Sequence, residues 1–196
     1  MDASLFHDRI YPALTISWRQ RSFAPCQAVC TSLLPRVADL AQRYHLGSEP
    51  PLVAMVAEGL AFDRHFWTLL AGELFFYAAE EMPEIETAID TLTCLLSPET
   101  IKPAVFGSQD LSFGGKVYRP EQVGWNDSAD VNRLVDYLAT VQPELWSAVS
   151  LRPWRPQTDE DDLIDEIEFA REWFPSLRQM YERARDRNWI VICEKL

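Results

Sequence analysis

The sequence predicts a mostly helical α+β fold, a single domain (1–196) packed around one small sheet. Three observations carry this. Most long segments repeat their apolar residues every three to four positions, the period of a helix. Short strand-like runs lie near the start, in the middle and at the end of the chain, so a sheet has to collect them from distant positions. The 196 residues, 47% hydrophobic with seven Trp, ten Phe and six Tyr, supply one sizeable core and are too few for two comfortable ones.

Residues 10–18 alternate, with Ile10, Pro12, Leu14, Ile16 and Trp18 on one side and Tyr11, Ala13, Thr15, Ser17 and Arg19 on the other, which predicts a half-buried strand. From Cys26 the period lengthens through Val29, Leu33, Val37, Leu40, Ala41 and Tyr44, a helix that Pro35 divides in two and "HLGSEPP" ends. Residues 52–60 read as a short helix, and 62–79 as a longer one with Phe66, Leu69, Leu70 and Leu74 on its apolar face. "MPEIETAIDTLTCLLSP" places Pro83 near a helix start and Ile85, Ile89, Leu92 and Leu96 on one stripe.

Residues 102–106 and 116–118 read as short strands on either side of a glycine-rich loop. Residues 120–140 become helical from Asp130 onward, where Val131, Leu134, Val135 and Leu138 recur at three and four. "PELWSAVS" adds a turn or two of helix, and "RPWRP" reads as an extended link, because a residue before proline is pushed out of the helical region. A long helix follows, capped by Thr158 or Asp159 and kinked at Pro175, and "NWIVICE" closes the chain as a buried strand.

The formal net charge of −12 is unevenly spread: residues 1–48 carry three acids against five arginines, 49–130 fourteen acids against four bases, and 131–196 thirteen against nine. An acidic surface repels phosphate backbones and anionic lipid, so a basic protein or a cationic ligand is the expected partner, with no nucleic acid and no membrane. The first 22 residues lack a basic start followed by an unbroken apolar run. The longest apolar block, 66–79, is interrupted by Glu73 and falls short of the roughly 20 residues of a spanning helix. The expectation is a cytoplasmic protein whose Cys26, Cys30, Cys94 and Cys193 are reduced thiols.

The stretch "VFGSQDLSFGGKVYRPEQV", 105–123, invites reading as a phosphate cradle. A P-loop needs a glycine where Asp110 stands, and a Ser or Thr after the Gly-Lys pair, where Val117 stands. The Asp110 carboxylate would face the phosphates, so the match fails chemically, and the stretch is predicted to be a turn. In that turn Gly114 and Gly115 supply positive φ and Pro120 opens a helix. A second option is that the loop amides hold an anion.

Ser108 lacks the second glycine of a nucleophile elbow, and Cys94 has no sequence link to His65, so no catalytic residue is assigned. His65 is expected to be packed and hydrogen-bonded. Cys26 and Cys30 are expected to be buried one helical turn apart, without further zinc ligands at a matching spacing. In "TDEDDLIDEIEFAREW", Asp162, Asp165 and Glu166 fall on one helix face. Acids there complement the first turn of a helix, and neither a metal nor a cofactor is expected. Leu163, Ile164, Ile167 and Phe169 are expected to be buried on the other side. Arg152 and Arg155 are expected to pair with this acidic helix, with Trp154 half-buried between them.

The order of segments is similar to that of the YfbM-like family, a bacterial domain of unknown function. "FDRHFWTLLAGE" resembles its helix with an acidic-basic start and an aromatic centre. "AVFGSQDLSFGGKVYRPEQV" resembles its glycine-rich stretch, and "RPWRP", the acidic helix and "SLRQMYERARDRNWIVI" resemble its closing helix and strand. The resemblance covers about residues 60–193, while the first 50 depart from the family's short Met-Gly opening. It implies a compact α+β domain and no activity, cofactor or catalytic residue.

The function expected from these readings is a non-enzymatic binding or protein-interaction module, using an acidic surface of Asp159, Asp161, Asp162, Asp165 and Glu166 together with the loop 107–119. An alternative is a small-molecule hydrolase or ligand-binding enzyme, its pocket formed by His65, Asp110, Gly114, Gly115, Lys116 and Arg119. A structural homo-oligomer, suggested by seven tryptophans, is a second alternative.

Overall fold

The computed structural model describes residues 1–43, 61–81, 88–118 and 123–194. The expected helix at 52–60, the breakers at 45–51, the helix start at Pro83 and the residues Arg119 and Pro120 lie outside the described residues. In chain order the elements are α1 (Ala3–Leu5), a π-helical turn (Phe6–Ile10), α2 (Tyr11–Gln20), α3 (Ala24–Arg43), α4 (Arg64–Tyr77), α5 (Ile89–Leu95) and α6 (Pro98–Phe106). Strands β1 (Gln109–Asp110), β2 (Ser112–Phe113), β3 (Lys116–Val117) and β4 (Val123–Asn126) follow. Then come α7 (Ser128–Leu138), a 3-10 turn (Pro143–Leu145), α8 (Ala148–Leu151), α9 (Glu160–Asp186) and β5 (Val191–Glu194). The fold is the mostly helical α+β type that the periodicities predict.

The sheet content is small: β1, β4 and β5 form a three-stranded sheet in that order, and β2 pairs with β3. The latter pair is antiparallel, with Ser112 opposite Val117 and Phe113 opposite Lys116. The chain divides into two compact units. The first holds Met1–Glu80 with Asp110–Val123, the second Glu81–Gln109 with Gly124–Leu196.

The first unit corrects the strand expected at residues 10–18. Phe6, Ile10 and Leu14 are fully buried at intervals of four, and Ala13 and Ser17 join them, while Ile16 and Tyr11 face outward. That is a helical pattern, and Pro12 sits in the first turn of α2, where its missing N–H costs no bond. Helix α3 is likewise one element through Pro35, since burial of Cys26, Cys30 and Leu33 before it and Leu40 after it outweighs one forfeited hydrogen bond. Phe113 of the hairpin lies at the centre of an aromatic cluster, with the rings of Tyr11, Trp67, Phe75 and Tyr118 at centroid distances of 5.3, 5.8, 6.2 and 6.3 Å.

The second unit is built on α9. Leu163, Ile167, Ala170, Phe174, Leu177, Tyr181 and Ala184, spaced alternately by four and three, form its buried seam. Val131, Leu134, Val135 and Leu138 of α7 and Ile101 and Ala104 of α6 belong to the same core. Residues 102–106 are therefore not a strand: Pro98 opens α6, and Gly107, at φ +81°, ends it. Residues 123–126 are strand, so no helix runs from Pro120 into α7. That helix starts at Ser128, where Asp127 Oδ1 accepts from the amides of Ala129 and Asp130. "RPWRP" is a turn rather than an extended link, because the amides of Trp154 and Arg155 both donate to the Leu151 carbonyl. Helix α9 begins after Asp159, one of the two caps expected there, and continues through Pro175. No helix among the described residues is long and apolar enough to cross a membrane.

Candidate interaction face

The loop residues proposed from the sequence form a turn. Gly114 and Gly115, at φ +57° and +84°, join β2 to β3, as the turn reading expects. A Cβ on Gly114 would lie 3.1 Å from Trp18 Cδ1, so this glycine is packed against α2. His65, Asp110, Gly115 and Lys116 are exposed. His65 thus corrects the expectation of a packed histidine: it makes an edge contact with the neighbouring Phe66 and faces out, because the buried seam of α4 runs through Trp67, Leu70, Ala71 and Leu74.

A buried polar network unannounced by any motif lies in the second unit. Asn126, with no exposed surface, ends β4. Its Nδ2 donates to the Pro103 carbonyl at 2.8 Å and to Tyr181 Oη at 2.9 Å, and its Oδ1 accepts from Ser108 N at 2.9 Å and Ser108 Oγ at 2.7 Å. Tyr181 Oη donates in turn to the Ala104 carbonyl at 2.7 Å, and burial drives this phenol well above its ordinary pKa. Arg133 bridges Ser108 Oγ and Asp130 Oδ1, while Gln109 Nε2 donates to both Asp127 and Asp130. The hydrogen bond from the Asp130 amide, opposed by partial burial, lowers the Asp127 carboxyl.

Chemically this arrangement is a brace. Asn126 stands where a nucleophilic serine would need a base, and a carboxamide accepts no proton. Its work is to join the end of α6, strand β4 and helix α9. Only Gly107 and Gly124 hinted at it: a Cβ on Gly107 would lie 2.3 Å from Trp125 N, and one on Gly124 2.0 Å from the Phe106 carbonyl oxygen, so both glycines permit the close crossing.

Cys26 and Cys30 are buried and unbridged, as the sequence implies. Burial pushes Cys26 up to about 11 and raises Cys30 as well, so both are neutral thiols at pH 7 and poor metal ligands or nucleophiles. On α4, Tyr77 Oη donates to Glu73 Oε1 at 2.5 Å, and burial, followed by this bond, raises the phenol. No group of three or more His, Cys, Asp or Glu among the described residues is placed to hold a metal ion.

The acids of α9 separate into two sets. Glu166 Oε2 accepts from Thr91 Oγ1 at 3.1 Å and lies 3.7 Å from Arg155 Nε, so the predicted pairing of Arg155 with the acidic helix is present. Arg152 does not follow it, since its guanidinium donates to the Thr158 carbonyl instead. The outer face holds Asp161, Asp165, Glu168 and Glu172, all exposed and spaced by four, three and four, within an arc of about 60° at 100° per residue. None of these four has an ion-pair or hydrogen-bond partner among the described residues. Asp159 and Asp162 are also exposed, on either side of the helix start.

No protein-family model, curated protein or solved structure matches the chain.

Three side chains beside these acids depart from expectation. Ile164 and Phe169, predicted buried, are 41% and 36% exposed, because the seam needs only the positions at 163, 167 and 170. Trp154, predicted half-buried, is 60% exposed at the turn before α9. Ile164 flanks the acidic row on one side and Phe169 on the other, so the face combines unpaired carboxylates with apolar edges.

Proposed function

We propose that the protein is a non-enzymatic protein-interaction module whose acidic α9 face takes up a basic partner protein. The carrying observation is the row Asp161, Asp165, Glu168 and Glu172, exposed and without a cation of its own chain among the described residues. A row of like charges on one helix face is mutually repulsive, and a cationic partner relieves that repulsion while being steered toward it. The finer attribution to a bacterial, cytosolic protein of the YfbM-like family is part of the same proposal and rests on the segments of residues 60–193 that resemble that family.

The test is affinity capture from lysate of the source cells with the wild-type chain and with the fourfold variant D161K/D165K/E168K/E172K, both verified as folded by circular dichroism. Proteins retained by the wild type and lost with the variant, with retention falling as salt rises, support the reading. The same set captured by both chains overturns it.

A further inference from the structure

Five of the eight large hydrophobic side chains that are exposed among the described residues lie between 145 and 169: Leu145, Val149, Trp154, Ile164 and Phe169. All five belong to the second unit. Two of them, Ile164 and Phe169, border the acidic row of α9. A third, Leu145, lies in the 3-10 turn that Arg171 fastens to the same helix. Arg171, two turns beyond Ile164, donates through Nε to the Pro143 carbonyl at 2.9 Å and through Nη2 to the Glu144 carbonyl at 3.3 Å and to the Trp146 carbonyl. These three bonds fasten the 3-10 turn to α9 and hold Leu145, 69% exposed, pointing away from the core. The apolar edge is fixed before any partner arrives, which lowers the ordering cost of binding.

Resting on the proposed function, we propose that the partner engages this face with an amphipathic basic helix, lying along α9 with Lys or Arg opposite Asp161, Asp165, Glu168 and Glu172 and with apolar residues against Ile164 and Leu145. The acidic row extends over roughly 16 Å, from 11 residues at 1.5 Å each, and a partner helix repeats its own side chains at the same rise. Charge complementarity fixes the sign of the occupant, and the apolar border fixes its amphipathic character. A helix also satisfies its own backbone, whereas an extended segment on the outside of α9 would meet side chains only and leave its amides and carbonyls without sheet partners.

Two peptides of identical composition distinguish this docking mode from charge attraction alone. One arranges Lys/Arg and Leu at helical spacing on adjacent stripes, and the other has the same residues permuted so that no helical face forms. Binding of each to the full chain is read by fluorescence anisotropy at near-physiological salt. The ordered peptide is expected to bind at least about tenfold more tightly, and the double variant L145S/I164S, both positions being exposed, is expected to abolish that preference while retaining the wild-type unfolding temperature. Equal affinities for the two peptides, or a preference that survives in the double variant, overturn the amphipathic-helix inference and leave the charge-reversal capture to decide the proposed function by itself.

Discussion

Asn126→Ala measures how far one buried side chain holds the second unit together. The substitution removes the bonds to Pro103, Tyr181 and Ser108, yet few partners are orphaned. The Pro103 carbonyl still accepts from Gly107 N at 3.0 Å, Ser108 N still donates to the Trp125 carbonyl at 3.1 Å, and Tyr181 Oη still donates to Ala104. Ser108 Oγ is on an exposed residue and reaches water. The loss is therefore the net value of about two buried hydrogen bonds, about 1 kcal/mol each, plus a cavity term of similar size, for a total of about 3 kcal/mol. Asn126→Asp is expected to be worse at neutral pH, because an oxygen replaces the Nδ2 that faces the Pro103 carbonyl, and burial raises the new carboxyl in the folded chain above its unfolded value. A raised folded pKa means that stability is greatest at low pH and is lost as pH rises, so the deficit of this variant shrinks on acidification while that of Asn126→Ala does not. Urea unfolding followed by tryptophan fluorescence reads both. An alanine variant within about 0.5 kcal/mol of the wild type, or an aspartate variant whose deficit is independent of pH, refutes the role given to the network.

Two further outcomes follow from backbone fit and from burial. Gly107→Ala and Gly124→Ala force a Cβ to within 2.3 and 2.0 Å of backbone atoms and are expected to cost more than about 3 kcal/mol or to prevent folding, whereas Gly115→Ala, at φ +84° with nothing within 4 Å, is expected to cost about 1 kcal/mol. Similar unfolding temperatures for all three would contradict the close crossing. Cys26 is held at about 11 against the ordinary thiol value of 9.0, so the unfolded chain ionises first and folding stability falls as pH rises through this window, by up to about 3 kcal/mol from 2 units at 1.36 kcal/mol each. Cys26→Ala is expected to flatten the decline between pH 8 and 11, and an unchanged slope would remove this cause.

The elements legible in the sequence are those with long, single-period patterns. Helix α4, helix α7 from Val131 onward, the seam of α9 and the closing strand follow directly from residue spacing. Residues 10–18 misled because a short window fits two periods at once: Ile10 and Leu14 are four apart, which suits alternation and a helix equally, and only Phe6 upstream tips the balance. Residues 102–106 misled because the helix there takes its start from Pro98, outside the window. The acidic face was visible as composition, but its membership was not. Glu166 is drawn toward Thr91 and Arg155, while Glu168 and Glu172, which spacing alone did not single out, complete the outer row. Asn126 and the Arg171 clamp depend on contacts between residues 18 to 55 positions apart, which no local pattern encodes.

Carboxyl footprinting of the wild-type chain, alone and with a partner recovered by capture, reads directly whether the α9 row is the surface that the partner covers. Asp161, Asp165, Glu168 and Glu172 are expected to lose reactivity in the complex, while the exposed acids Asp8, Glu99 and Asp136 keep theirs. Unchanged labelling of the α9 row, with protection elsewhere, would contradict it.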